Sequence, residues 1–533
     1  MKKSIKRIAI SLCSVFVIVA AAGCGGDGGK NKDGKTTIEF WGWGDYIEVD
    51  VFKSLVNTFN EAHDDIFVNF TPRPSSTYSV DTLKQLQSRR PPDVVFVGDS
   101  DIKKWASSEI DVLEDLTPYV EKSDVIDLDD IWEGQMARFV FDRETFENSA
   151  DAPIWGLPKD LGATVIYYNA DAIKKAGIAI VEGKTADEVP ADEAKGFYVK
   201  DGKMYFNNSI PMTQTQLVEM GKVLTKDQNP SAPTDFGYYC QWWFNFGWSV
   251  GGDDVAYMET DDPAYKGGYY EFVLNDKAPN YRVKEGETLS VNGTAYQGGE
   301  LISYHDRAKL TAEQKGQCNE LASIREVFDF WVSLATGKDA SGKENGNKIS
   351  PNPNDNIDST MFTNQRLAMY VEGRYMVPEF RRDCKFNWDV APLALWEGGV
   401  EAGHSGSMCI SMSKNSKNKD AAFELIEYLS GPEGQKELMK TGFNVPNQKS
   451  IARSDAFLVS DQPPYNNAVF VRAAEVQRGG DWTYLPDDAW IEEWAPTLNG
   501  DVLNGVVTVD QLFARYTATV NNKLKTYTQV KNK

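Results

Sequence analysis

The sequence predicts an α/β protein of two lobes, and three observations carry that expectation. Short β-rich runs alternate with amphipathic stretches from Thr36 onward, the grammar of β-α-β units around a mostly parallel sheet. Without its first 23 residues the chain keeps 510, more than a single hydrophobic core usually serves. Beyond residue 35 no run is apolar and long enough to span a bilayer, so the body is expected to fold in water.

The first residues read as an export signal. Lys2, Lys3, Lys6 and Arg7 precede an uncharged, mainly apolar run from Ile8 to Ala22. That run, about 15 residues, falls short of the roughly 20 that cross a bilayer. It closes on Ala21-Ala22-Gly23-Cys24, which resembles the lipobox at which bacterial lipoproteins are cleaved and diacylated on the cysteine, with Ala21 where leucine is commoner. Residues 1–23 are therefore expected to be a removed signal peptide, and Cys24 the palmitate-bearing anchor. Residues 24–35 offer glycine, lysine, asparagine and aspartate but nothing apolar to bury after Cys24, the composition of a flexible tether.

Within the body, Thr37 to Trp41 reads as a strand. It is followed by a helix over 48–62 whose Val51, Phe52, Leu55, Val56 and Phe59 share one face. A second strand over 66–70, a helix around Leu83 and Leu86, and a strand over 92–98 continue the alternation. In such sheets ligands sit outside the carboxyl ends of the strands, which directs attention to the loops after Trp41 and Val97. Two polar stretches punctuated by glycine and proline, about 180–212 and 253–320, read as insertions, the second of them turn-rich and β-like.

Charge narrows the partners. The four basic residues of the signal leave 52 basic against 78 acidic side chains in the mature chain, a formal charge of −26. Such a chain repels nucleic acid and bare anionic membranes. Cys240, Cys318, Cys384 and Cys409 are widely spaced, form no zinc framework, and fit disulfides or buried thiols equally. The acidic pairs Asp253-Asp254 and Asp261-Asp262 lack the glycine and terminal glutamate of a calcium loop, so no metal is expected.

Aromatics make up 12% of the chain and gather where a ligand would sit. Trp41 and Trp43 bracket Gly42 at a strand end; Trp242, Trp243, Phe244, Phe246 and Trp248 crowd one loop-like stretch. A tryptophan taken singly is more often core. Rings beside polar groups in a loop, however, suit a ligand with apolar faces and hydroxyl edges, and sugars are such ligands. Asp45, Asp99 and Asp160, the last beside Lys159, could accept sugar hydroxyls, although helix caps and turns use aspartate too. Catalytic constellations are scarce: His63, His305 and His404 stand outside metal-ligand spacing, and Gly403-His404-Ser405-Gly406-Ser407 ends in serine where a nucleophile elbow needs glycine. Glycosidase carboxylates have no local signature, so that chemistry stays open.

Several ordered stretches carry a family resemblance. They are Pro91 to Asp99 followed by Leu113 to Tyr119; Ile154 to Pro158 running on to Asn169 and Lys175-Ala176-Gly177; Leu367 to Tyr375; Trp388 to Leu393; and Asp420 to Gln435 closing with Thr441 to Pro446. Together they resemble the extracellular solute-binding proteins of bacterial carbohydrate ABC importers, the maltodextrin-binding-protein-like group. The resemblance implies a two-lobed periplasmic-binding-protein-like fold with a central mostly parallel sheet in each lobe and a hinge of crossing segments. It places the N-terminal lobe at 36–162 plus 406–455 and the C-terminal lobe at 163–405 plus 456–533. It further implies a carbohydrate gripped by Trp43, Asp45, Asp99, Asp160, Trp242, Trp243 and Tyr375, with Trp482 a looser assignment. No cofactor and no catalysis are implied. The partners would be permease subunits, the membrane would be met through the lipid alone, and the chain would act as a monomer on the extracytoplasmic face. Two other readings share much of this chemistry: a surface lipoprotein that hydrolyses a polysaccharide, and an importer component for a non-sugar solute.

Overall fold

A computed structural model describes residues 34–527 except 45, 266, 356, 407, 481, 482 and 484. The signal peptide, Cys24, Asp45 and Trp482 lie outside the described residues. The chain forms two lobes, each built on one sheet. β1 (Thr36–Trp43) buries Ile38, Phe40 and Gly42 on one face, as its period of two requires. α1 (Tyr46–Ala62) buries Val51, Phe52, Leu55, Val56 and Phe59, the face expected from the apolar spacing. β2 (Ile66–Arg73) and β3 (Val94–Gly98) flank β1 in parallel, completing the β-α-β unit. After β4 (Leu157–Pro158) the chain leaves this sheet, and β5 (Gly162–Asn169) opens the second. There β5 is joined by β6 (Phe236–Tyr239), β7 (Leu367–Gly373), β8 (Trp388–Ala391) and β9 (Gly403–Gly406). β10 (Met408–Met412) returns to the first sheet, and β11 (Gln477–Arg478) ends in the second. The strand orders are β2-β1-β3-β10-β4 and β11-β9-β5-β7-β6, with β8 also on β5.

Both sheets are mixed, where the sequence reading expects mostly parallel ones. β10 is antiparallel to β3 and β4, and β5 is antiparallel to β7, β8 and β9. The crossing is one cause: β4 to β5 carries the chain out and β9 to β10 brings it back, so the two legs lie side by side in opposite directions. Leu157 and Pro158 face Ile410 and Cys409 in the first lobe, while Gly162 and Ala163 face Gly406 and Ser405 in the second. A third leg joins this ribbon where Leu161 and Val445 exchange backbone hydrogen bonds of 2.9 and 3.0 Å.

The floor of the hinge is polar and buried. Asn447 donates to the Pro158 carbonyl at 2.7 Å, Gln435 to that of Lys159 at 2.8 Å, and Gln135 to that of Asp160. Lys159, 1% exposed, donates to Glu48 at 2.6 Å and to Asp160 at 2.7 Å, and lies over the rings of Phe52, Phe96 and Phe443. Burial works against its charge, but Asp160 and Glu48 hold its pKa above the ordinary lysine value. On the other side of the hinge, Arg374 spends one nitrogen on the carbonyls of Gly442, Phe443 and Asn444, at 2.6 to 3.1 Å. Burial among Phe457 and Phe470 pulls its pKa down to about 9.

The insertions are small β-structures on the second lobe. Strands Ile178–Val181, Phe197–Lys200 and Lys203–Asn207 make a three-stranded sheet. In the 253–320 stretch Val255–Glu259 pairs with Gly268–Phe272, Asn280–Val283 with Cys318–Leu321, and Thr288–Val291 with Thr294–Gln297. Cys240, Cys318, Cys384 and Cys409 are free thiols, and burial pushes Cys240, Cys384 and Cys409 up to about 12. Among the described residues no helix is long and apolar enough to cross a membrane.

Lys159→Met removes the partner of the buried Asp160 carboxylate and of the half-buried Glu48. It is expected to lower the unfolding free energy by about 3–5 kcal/mol, the usual effect of leaving buried charge uncompensated. Adding Glu48→Gln should restore part of that loss; urea midpoints that are unchanged in the single variant would show that the cluster does not stabilise the hinge.

Candidate functional site

The carboxyl ends of β1 and β3 deliver the first-lobe candidates. Tyr78 fixes them from below: its hydroxyl is buried and meets the carbonyls of Trp41 at 2.9 Å and Phe96 at 3.0 Å. Gly42 is required because a Cβ there would come within 2.7 Å of the Phe96 ring. Trp43 is half-buried, packs on Tyr78 with ring centres 4.3 Å apart, and reaches Gly98, the residue before Asp99. Asp99 lies 3.5 Å from Arg138. Arg138 is 5% exposed and extends from the first lobe to two strands of the second, donating to the Ser405 carbonyl at 2.9 Å and to Gln477 at 3.1 Å. No motif announced this arginine in Met136-Ala137-Arg138-Phe139; a charge between apolar residues was its one signal.

The second-lobe aromatics divide into two sets. In α2 (Phe244–Ser249), Phe244 and Trp248 stand one turn apart on one face. Trp242, 38% exposed, stacks on Phe244 with centres 5.3 Å apart and planes at 11°, and Phe244 stacks on Trp248 at 5.3 Å and 16°. The His404 ring lies 6.0 Å from Phe244 and 6.4 Å from Trp248. Arg478 covers Trp248 at 5.3 Å and pairs with Asp253 at 3.1 Å. Trp243 points the other way: it is 4% exposed, donates to Asp254 at 2.8 Å, and packs on Phe328, Trp331 and Trp494.

Two further candidates sit on the hinge. Asp160 is 3% exposed, and its oxygens accept from Lys159 and, at 2.9 Å, from Asn444, which ties the first crossing to the third. Tyr375 is half-buried, its ring against Gly373 and near Gly162 and its hydroxyl donating to Glu372. Trp43, Asp99, Arg138, Ser405, His404, Phe244 and Trp242 thus follow one another by contact or by chain adjacency, from the first lobe across the ribbon to the second.

Phe244 and Trp248 are themselves buried, 4% and 3% exposed, so the open ring surface of this line belongs to Trp242 and the half-buried Trp43, with the Asp99 carboxylate and the Arg138 guanidinium between them. The line does not offer a nucleophile elbow, because Gly403–Gly406 is a strand and Ser405 is fully buried, bonded to Gln477. Burial, and after it the charge of Arg138, holds His404 down to about 3, so its imidazole is neutral across the physiological range.

Comparison with known proteins agrees with this architecture. The profile of the bacterial extracellular solute-binding protein family matches residues 43–436. An ABC substrate-binding protein of Listeria monocytogenes in complex with cycloalternan superposes with a TM-score of 0.62 and 19% identity, over 92% of this chain and 99% of that one. The sugar-binding protein MalE of Xanthomonas citri gives 0.57 and 18%, over 92% and 97%. Among curated proteins, the arabinooligosaccharide-binding protein of Bacillus subtilis is 21% identical over 264 residues, which span 44% of this chain and 57% of that relative's length.

The neutral His404 makes a pH prediction. Its folded pKa, about 3, lies below the ordinary 6.5, so between these values the unfolded chain binds more protons and stability falls as pH drops. His404→Phe keeps a ring and removes the titration. It is expected to lessen the fall in unfolding free energy between about pH 6.5 and pH 4 by up to about 1.4 kcal/mol per pH unit. Parallel denaturation series for the two proteins would measure this, and identical slopes would contradict it.

Proposed function

The chain belongs to the bacterial extracellular solute-binding proteins, and from that premise we propose that it captures a sugar or oligosaccharide for an ABC importer while anchored by lipid on Cys24. The file of near-parallel rings ending in the exposed Trp242 is the observation that carries the carbohydrate assignment. Trp242, backed by the buried Phe244 and Trp248, and the half-buried Trp43 take the apolar faces of a pyranose, while Asp99 and Arg138 offer charge-assisted hydrogen bonds to its hydroxyls, the stronger kind. The relatives described as binding cycloalternan and arabinooligosaccharide support a saccharide solute.

In this reading the solute lies between a lobe of 36–162 plus 406–455 and a lobe of 163–405 plus 456–533. Trp43 and Asp99 touch it from the first lobe, and Trp242 and Tyr375 from the second; Asp45 and Trp482 are further contacts on sequence grounds. Asp160 and Trp243 act behind the wall, one fixing the hinge and the other the aromatic loop. Binding involves no chemistry, and the monomer presents its closed form to the permease subunits. A ligand favours that form only by binding it more tightly than the open one, which contacts from both lobes achieve.

A thermal-shift screen over mono- and oligosaccharides tests the assignment. A binder present at about a hundred times its Kd stabilises the protein by about 2.7 kcal/mol. Trp242→Ala is expected to weaken that binder by more than about 1 kcal/mol. A shift with a peptide or polyamine and none with any glycan would overturn the carbohydrate reading; release of reducing ends would overturn the non-catalytic one. For the anchor, Cys24→Ser is expected to abolish partitioning into detergent phase, and normal partitioning of that variant would refute lipid attachment.

A further inference from the structure

The line of candidate contacts continues past the aromatic file. Beyond Arg478, which covers Trp248 and pairs with Asp253, a chamber of about 580 Å³ opens within the 253–320 insertion. Its walls come from the strand Val255–Glu259, the tip of the hairpin Thr288–Val291/Thr294–Gln297 and the helical turn Tyr304–Arg307. The volume falls within the range of built ligand sites, about 300–1,000 Å³. The hairpin tip is preset: Asn292 and Gly293 both have positive φ, 51° and 91°, as in the two-residue turn whose twist matches its strands. Tyr257, on its wall, has its pKa raised by burial, then by Glu259 and Glu147.

The chemistry of the lining points to polyhydroxylated ligand. Tyr257 and Tyr304 present half-buried ring surface. Asp306 is 3% exposed; its Oδ2 accepts from Tyr296 at 2.7 Å, and its Oδ1 has no hydrogen-bond partner among the described residues. A buried carboxylate oxygen with no donor is unfavourable until something supplies one. A sugar hydroxyl is such a donor. Water would serve too, but would leave the rings unused.

We propose that this chamber is a second compartment of the ligand site, built by the insertion, which receives the part of an oligosaccharide that extends past Trp242 and the Arg478 guanidinium. The proposal rests on the carbohydrate reading and adds to it that the solute is an oligosaccharide too long for the cleft alone. Asp306 anchors the extension by accepting from one of its hydroxyls.

The test uses the mature full-length chain, the longest glycan that binds in the screen, and its mono- and disaccharide fragments. Calorimetric titration of the wild type should give a Kd for the long glycan at least about tenfold below that of any fragment, the effect of one further anchored sugar. Thr294→Trp, at an exposed rim position, should fill the chamber and remove that advantage while leaving fragment affinity within about twofold. Asp306→Asn, nearly isosteric, should remove most of the advantage as well. Equal affinities for long and short glycans in the wild type, or an undiminished advantage in both variants, overturns the chamber and leaves the carbohydrate reading standing. Failure of every glycan to bind overturns the carbohydrate reading and this proposal with it.

Discussion

Between Pro158 and Gly162 the backbone has left one sheet and not yet joined the other, so its buried carbonyls must find partners outside any ladder. The amides of Gln135, Gln435 and Asn447 supply them, each from a different part of the first lobe. Lys159 and Asp160 sit in the same stretch, and buried charges are tolerated only when both are partnered. Glu48 at the start of α1 and Asn444 on the third crossing complete that pairing. One requirement therefore sets the start of α1, the register of the crossing ribbon and the position of the third leg. Trp43 and Asp99 follow from it, since both leave the sheet whose edge this stretch closes.

The same arrangement decides where motion can be taken up. A segment tied by three amides and an ion cluster moves with the first lobe. The legs beyond it pair with each other at Gly162 and Gly406 through the backbone, with the Thr164 hydroxyl donating to the His404 carbonyl. Arg138 spans the two lobes across this ribbon. It belongs to the first lobe, yet it donates to Ser405 and Gln477 of the second at 2.9 and 3.1 Å, while its contact with Asp99 is longer at 3.5 Å. Any hydroxyl that entered between Asp99 and Arg138 would gain a charged acceptor and a charged donor in one place.

Much of the fold was legible because periodicity reports burial directly. The five apolar residues spaced along α1 are the five it buries, and the strand ends after Trp41 and Val97 lie where a β-α-β reading puts them. Sheet direction was not legible: strands that return from another lobe carry the same residue types as those that stay, so the antiparallel β5 and β10 had no signature. Within the site, residue type misleads in a specific way. Trp242 and Trp243 are neighbours of identical chemistry, and only the turn into α2 sends one to the surface and the other to Phe328 and Trp494. Asp160 read as a candidate acceptor because its partner Asn444 lies 284 residues away, beyond the reach of any local pattern.

The 253–320 insertion is fastened in a way that gives it a mechanical role. Its Phe272 packs on Phe513 of the helix Val509–Leu524, and the same helix accepts the Phe272 backbone N–H through Asn521 at 2.7 Å. Arg325 ties Asn275 of the insertion to this helix, meeting Asp510 there and Asp329 on its own helix. These contacts dock the segment around Phe272 and Asn275 on the second lobe. Ordering cost on binding is then low, because the walls are set before ligand arrives. In the proposed function a bound solute shifts the equilibrium between open and closed forms only through its difference in contact with the two, so a contact made on the insertion counts only where it differs between them.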